Sequence, residues 1–439
     1  MSARPLFSVA IPSKNRPLQV RQAVRSVLEQ TCQDFEIIVC DNSDETEAAA
    51  TAEAVRSFGD ARIVYVRTSG QLSMPDNWER AVADARGDYV GILTDRSVFL
   101  PHALERARRE IDEKGVPLVA WFGDSYGRGP SGRDLRRRAR SGQAWHVESR
   151  RLLEYFVHGH PKHASKRLPK LMTCVCAREV IYRIRASAVG RICPPVCPDY
   201  TSGYLMLAHT DRLVLLDEAL FLSIGSGNGS SFRRRGALAD RFMRDLGMTW
   251  QDLVDRMPTR ACFTSALVLN DLMRLKDALP DRFAGLDVDR VQYYLGCLTD
   301  YERAARVGAD RFEDFDELLE GLSLEPPEVQ YAVRTRHIYV RAAAALPPET
   351  AERDRGGDAE ADADDEGGGS TPQFATVFDA MAWAAAHPFP EHEALAAAEP
   401  LEMPPIADVE PARMKPKYRP ARTRKLAVTE QERAGMAQR

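Results

Sequence analysis

Two short apolar runs, each breaking into a polar cluster, organise the start of this chain. Phe7-Ser8-Val9-Ala10-Ile11-Pro12 runs into Ser13-Lys14-Asn15-Arg16, and Phe35-Glu36-Ile37-Ile38-Val39-Cys40 runs into Asp41-Asn42-Ser43. Between them, across Leu18 to Gln30, apolar Val20, Ala23, Val24, Val27 and Leu28 recur at helical spacing. The order is strand, helix, strand. Both strands are too apolar to keep a wet face, which predicts a parallel sheet covered on two sides. Such sheets bind ligands beyond the carboxyl ends of their strands. Here those ends carry hydroxyl, amide, cationic and carboxylate groups suited to a nucleotide.

The alternation continues to about Phe122. Arg62 to Val66 reads as a third strand, Asp76 to Ala85 as a helix with Asp76 as N-cap, and Asp88 to Leu93 as a fourth strand. Pro101 to Lys114 follows as a helix with Pro in its first turn, then Val116 to Phe122 as a fifth strand. This is an α/β layer pattern with a mostly parallel sheet. Residues 123–170, polar and centred on Arg136-Arg137-Arg138-Ala139-Arg140, read as a loop or loosely helical insert. Strands resume at Met172 to Cys176 and Arg212 to Leu216, and Ser223 to Ser231 reads as a Gly/Ser loop. Helices are expected at Ala237 to Leu246, Cys262 to Ala278 and Asp289 to Val307.

The expected organisation is a catalytic α/β domain over 1–235 and a helical extension over 236–346. An acidic, Gly-rich linker over 347–372 and a tail over 373–439 follow, both expected to be mostly disordered. Within the tail, Phe374 to Ala385 is expected to form one short helix, and Arg413 to Lys425 a basic arm.

At 439 residues the chain is too long for one core, so two or three units are expected. No apolar run reaches the length of a membrane span, and Met1 to Pro5 leads straight into a strand, so a cytoplasmic location is expected, with peripheral membrane contact as an option. The eight cysteines are then expected as thiols. Cys174, Cys176, Cys193 and Cys197, with His158, His160 and His163, match no common zinc spacing and read as core cysteines. The arginine cluster reads as a solvated face, or as a surface for an anionic acceptor or membrane. No aromatic-basic module accompanies it, so no nucleic-acid partner is expected.

The first strand end has Pro12 to Arg16 where a dinucleotide fold or a phosphate loop would need glycines, which excludes both. Ser13, Asn15 and Arg16 still suit a nucleotide, through hydrogen bonds to base and ribose and a cation for the diphosphate. Asp41 stands at the matching end of the second strand, either as acceptor of a base N–H or as a turn residue. After the fourth strand, Asp95 and more weakly Ser97 offer oxygens to a divalent cation.

These residues, in this order, resemble the family 2 inverting glycosyltransferases with a GT-A fold, over roughly residues 6 to 231. The matching elements are Ser8 to Arg16, Ser26 to Thr31, Phe35 to Ser43, Gly70 to Trp78 and Gly87 to Val90. The resemblance implies nucleoside contacts from Pro12, Ser13, Asn15, Arg16 and Asp41, with Asn77 near the diphosphate-sugar site. The family's Asp-x-Asp metal motif falls on Asp95-Arg96-Ser97, so its second carboxylate is missing. That implies a weakly held Mn or Mg ion on Asp95 and Ser97, with Arg96 adding positive charge. The family's catalytic base matches Asp199, for which a helix N-cap is the bland role.

The implied function is inverting transfer from a nucleotide sugar, UDP-linked by default, to a saccharide or lipid-linked saccharide acceptor in surface polysaccharide or glycoconjugate synthesis. A catalytically weak nucleotide-sugar-binding protein and a sugar nucleotidyltransferase are the alternatives. Ser223 to Ser231 corresponds either to a loop over the donor or to a disordered connector before the helical region, His209 reads as structural, and the helical region as an interaction module apart from the chemistry.

Overall fold

Phe7–Ser13 (β1) and Phe35–Asp41 (β2) are buried along their whole length and pair in parallel, Phe7 opposite Phe35 and Ser13 opposite Asp41. The helix between them, Pro17–Leu28 (α1), buries Val20, Ala23, Val24 and Val27 against Phe7, Val9 and Ile11 on one face of β1. Glu45–Arg56 (α2) leads into Ile63–Arg67 (β3), which extends the parallel sheet on the far side of β2. The chain then crosses through Met74–Ala83 (α3) to Tyr89–Ile92 (β4), on the other side of β1. Strand order thus reverses between β1 and β4, a topological switch point of the kind that holds ligands.

The computed structural model describes residues 4–129, 132–138, 140–158, 167–225, 237–306, 309, 311–344 and 374–387. All of them belong to one unit, Met1–Glu402. Beyond β4 come Ser97–Phe99 (β5), Ala103–Lys114 (α4), Leu118–Gly129 (β6), Gly132–Arg136 (β7), Ala144–Glu148 (β8) and Ser149–His158 (α5). Cys174–Ala177 (β9), Arg178–Arg185 (α6), Pro198–Ala208 (α7) and Arg212–Ile224 (β10) complete the α/β part. The sheet order is β3-β2-β1-β4-β9-β6-β10-β5, with β7 beside β6 and β8 beside β10. It is parallel through β3-β2-β1-β4 and between β6 and β10; the shorter strands β5, β7, β8 and β9 join antiparallel.

Three expectations change. The N-cap of α3 is Ser73, whose Oγ accepts from Asp76 N at 3.3 Å and donates to Asp76 Oδ2 at 2.6 Å; Asp76 itself sits inside the first turn. The region 123–170 is no loose insert, since β6 runs on to Gly129 and β7, β8 and α5 follow. Its arginines do not form a solvated face either. Arg137 Nε lies 3.2 Å from Asp124 and Arg140 Nη1 3.5 Å from Asp217, and Arg140 stacks on Phe122. Polar composition had masked strands whose charges pair internally.

The helical part comprises Ala237–Leu246 (α8), Thr264–Ala278 (α9), Arg290–Arg306 (α10), Phe312–Leu324 (α11) and Pro327–Ala344 (α12). Val377–Ala386 (α13) forms with a Thr376–Asp379 capping box and packs on Val98, Leu100, Tyr126, Leu135 and Leu222. The linker 347–372, the basic arm 413–425 and most of the Gly/Ser loop lie outside the described residues. Among the described residues, no helix is long and apolar enough to cross a membrane.

Candidate active site

The site grows from the carboxyl ends of β1, β2 and β4. Ser13 Oγ donates to Asp95 Oδ2 at 2.9 Å, and Arg16 Nη1 donates to Asp95 Oδ1 at 3.0 Å. Two groups 82 positions apart in sequence thus meet at the switch point. Burial pushes the Asp95 carboxyl up, against Arg16, Ser13 and Arg96, which favour its anion. Arg96 is half-buried, and burial, reinforced by Arg16 and opposed by Asp95, lowers its pKa.

Asn77 Nδ2 donates to Ser13 O at 3.3 Å, while its Oδ1 is buried with no hydrogen-bond partner. A buried polar atom left unpaired costs free energy, so Asn77 has acceptor capacity to spare beside Ser13.

Asp41 is fully buried, with Oδ2 accepting from the Tyr65 hydroxyl at 2.7 Å and Oδ1 from Ser43 N at 2.9 Å. Its turn role is therefore filled, and base recognition through it has to share those oxygens. Asn15 adopts φ 58°, a left-handed conformation that Asn tolerates better than most residues. Its side chain exchanges bonds with Asp44 and its N–H donates to Ser43 Oγ, so Asn15 braces the first strand exit against the second. Pro12 is buried within β1, opposite Cys40.

Asp199 lies in the first turn of α7, where the cap position itself belongs to Cys197. Lys170 Nζ donates to Asp199 Oδ2 at 2.8 Å and lies 3.7 Å from the Tyr200 ring centre. Burial works against the Lys170 ammonium, but Asp199 and Tyr200 outweigh it and raise its pKa. The neighbouring Leu171 O accepts from Ile92 N at 2.8 Å, which ties the Lys170 segment to the carboxyl end of β4. Asp41, Asp95 and Asp199 therefore all stand at the carboxyl edge of the parallel strands.

The donor set does not fit a resident divalent cation. Both Asp95 oxygens are engaged by Arg16 and Ser13, and Ser97 Oγ is bonded to Thr94 Oγ1 at 2.8 Å. Magnesium demands near-octahedral oxygen ligation, and here one committed carboxylate faces two guanidinium groups. The zinc reading fares no better. Cys174, Cys176, Cys193 and Cys197 are free thiols, and no metal-binding cluster of three or more His, Cys, Asp or Glu occurs among the described residues. His160 and His163 lie outside the described residues. His209 is buried and bonds Leu205 O through Nδ1 at 2.9 Å.

Sequence reasoning missed Lys170, Tyr65 and Asp271. Only Asp271 carried a signal, an acid inside the apolar run Leu267-Val268-Leu269-Asn270-Asp271-Leu272-Met273. Its carboxylate accepts from Val196 N at 3.1 Å and Cys197 N at 2.8 Å, immediately before Asp199. The helical part is therefore attached to the site and not apart from it.

The family model described as glycosyl transferase family 2 matches residues 8–180. An uncharacterized glycosyltransferase of Methanocaldococcus jannaschii is 32% identical over 107 residues, 24% of this chain and 36% of its own length. A GalNAc(5)-diNAcBac-PP-undecaprenol beta-1,3-glucosyltransferase of Campylobacter jejuni is 27% identical over 110 residues, 25% of this chain and 35% of its own. The match thus spans about a third of each relative. Among solved structures, residues 1–349 of S. aureus TarS in complex with UDP-GlcNAc align at a TM-score of 0.41 and 15% identity, over 69% of this chain and 92% of that one.

Proposed function

From the premise that residues 8–180 place this chain in glycosyl transferase family 2, we propose that it is an inverting glycosyltransferase. It moves a sugar from a nucleotide-diphosphate sugar to a hydroxyl acceptor. The observation that carries the reading is the meeting of Ser13, Arg16, Asn77 and Asp95 at the β1/β4 switch point, with the Lys170–Asp199 pair at the same sheet edge. The first group suits a nucleoside diphosphate, the second an acceptor hydroxyl.

In the proposed step the acceptor oxygen attacks the anomeric carbon from the face opposite the nucleotide. The bond to the β-phosphate oxygen breaks, its electron pair leaves with the nucleoside diphosphate, and the acceptor proton passes to Asp199. Lys170 holds that carboxylate in position through the bond from Nζ to Oδ2, leaving Oδ1 to take the acceptor proton. Pro12, Ser13, Asn15 and Asp41 form the nucleoside side of the site, Asn77, Asp95 and Arg96 the diphosphate side, and Arg16, bonded to Asp95, serves both. UDP-linked donors are the first choice. A saccharide or lipid-linked saccharide acceptor, at a peripheral membrane position, is in keeping with the undecaprenol-linked glucosyltransferase of Campylobacter.

A thermal-shift screen against UDP, GDP and dTDP sugars, followed by assay of nucleotide release, tests the reading. Asp199→Asn is expected to lower turnover by about 10²- to 10⁴-fold while donor affinity stays within about twofold. Near-normal transfer by that variant removes Asp199 as base. Donor binding by the unaltered protein with neither transfer nor donor hydrolysis replaces the enzyme with a nucleotide-sugar-binding protein.

A further inference from the structure

The corner where a divalent cation was expected is occupied by cations of the chain itself. Arg16 approaches both Asp95 oxygens, at 3.0 and 3.3 Å. Arg96 lies close enough to influence both Asp95 and Arg16. Its backbone is fixed, because Ile224 N at the end of β10 donates to Arg96 O at 2.7 Å. Its guanidinium runs along Gly225, where an added Cβ would meet Nη2 at 3.6 Å. Gly225 has φ +72°, so the chain turns there in a conformation that suits glycine. Arg96 is thus held between the Asp95 turn and the exit of β10.

We propose that Arg96, seconded by Arg16, receives the donor diphosphate in place of a divalent cation, so that donor binding and transfer proceed without metal. The inference rests on reading this corner as the diphosphate side of a sugar-nucleotide site. A guanidinium presents a rigid fork of N–H donors that matches phosphate oxygens and is never deprotonated in ordinary buffers. Partial burial strengthens its attraction for an anion relative to a solvated cation. When the bond to the anomeric carbon breaks, the electron pair left on the β-phosphate adds negative charge, and a fixed guanidinium stabilises it with little reorganisation. A metal ion would instead displace Arg16 from Asp95 and face the charge of Arg96.

Calorimetric titration of the full chain with UDP and UMP, with GDP and dTDP in parallel, tests this in EDTA and again with manganese. The preferred diphosphate is expected to bind equally in both, within about twofold, and turnover to be unchanged by EDTA. Arg96→Gln is expected to weaken the diphosphate at least about tenfold while the monophosphate changes by less than about twofold. Arg96→Lys should recover part of the loss. Retained monophosphate binding also certifies that the variant is folded. Diphosphate binding that needs manganese, or that survives Arg96→Gln unchanged, overturns the proposal and leaves glycosyl transfer standing. Failure of every nucleotide to bind under either condition overturns the glycosyltransferase reading, and the role of Arg96 with it.

Discussion

Gly87 shows how one residue can be dictated by a contact far along the chain. Its N–H donates to Ser8 Oγ at 2.7 Å, and Ser8 in turn donates to Glu36 Oε1 at 2.6 Å. Arg86 closes the network with two guanidinium bonds to Glu36 Oε2. Burial pushes the Glu36 carboxyl up, but Ser8 and Arg86 outweigh it and leave the pKa below the ordinary glutamate value. An alanine Cβ at Gly87 would lie 2.6 Å from Ser8 N, against backbone that cannot swing aside. Gly87→Ala is therefore expected to cost about 3 kcal/mol of stability in urea denaturation. A loss below about 0.5 kcal/mol would mean that β1 and the entry to β4 part freely. The strand entry at Gly87 was legible in the sequence, whereas its partner Ser8, 79 positions earlier, was not. The site divides the same way: Ser13 and Asp95 were each visible as strand-end residues, but their contact depends on the crossover that puts β4 beside β1.

Among elements, helix α7 depends on its neighbour α9. The Tyr204 hydroxyl donates to Val268 O at 3.2 Å, and Asp271 gathers the two N–H groups that precede the first turn of α7. Burial pushes the Asp271 carboxyl up to about 6, with Cys197 N–H, Val196 N–H and Arg274 restraining the rise and Asp199 adding to it. Since the folded pKa exceeds the unfolded one, the linked stability is full below about pH 4 and is lost as pH rises through about 6. Stability of the unaltered protein relative to Asp271→Asn should accordingly fall between pH 4 and 7, by up to about 3 kcal/mol. Denaturant titrations of both proteins across that range check it, and a constant difference would refute it. At neutral pH the variant is expected to lose turnover and keep donor affinity, because the anchored helix carries Asp199 while the donor residues lie at the ends of β1, β2 and β4 and on α3. The helices themselves were readable from apolar spacing. Their attachment to the chemistry was not, because Asp271 is one acid in an apolar run. The strands within 123–170 were hidden for a related reason, since Arg137–Asp124 and Arg140–Asp217 pairs look like solvent-facing charge until the fold brings them together.

Across the whole molecule, the last described helix closes a circuit back to the start of the site. α13 buries Val377, Ala380, Met381 and Ala384 against Val98 and Leu100 at β5, and Tyr126 donates to Phe374 O at 2.9 Å. β5 is three residues long, pairs only with β10 among the described strands, and begins directly after Arg96. A strand so short at a sheet edge has little stability of its own. α13 covers its apolar side and so steadies the turn that presents Asp95 and Arg96. Met381→Asp puts a charge into that contact, which costs more than docking one short helix returns. Hydrogen exchange should then rise over 374–387 and over Val98 to Leu100, with β1 and β2 unchanged, and turnover should fall several-fold. Leu324→Asp serves as the control, because Leu324 is 82% exposed and lies on α11. If α13 loosens while β5 keeps its protection and turnover holds, the helix covers the sheet edge without bracing the site. If both change together, a segment almost three hundred positions downstream is part of what holds the Asp95–Arg96 turn in place.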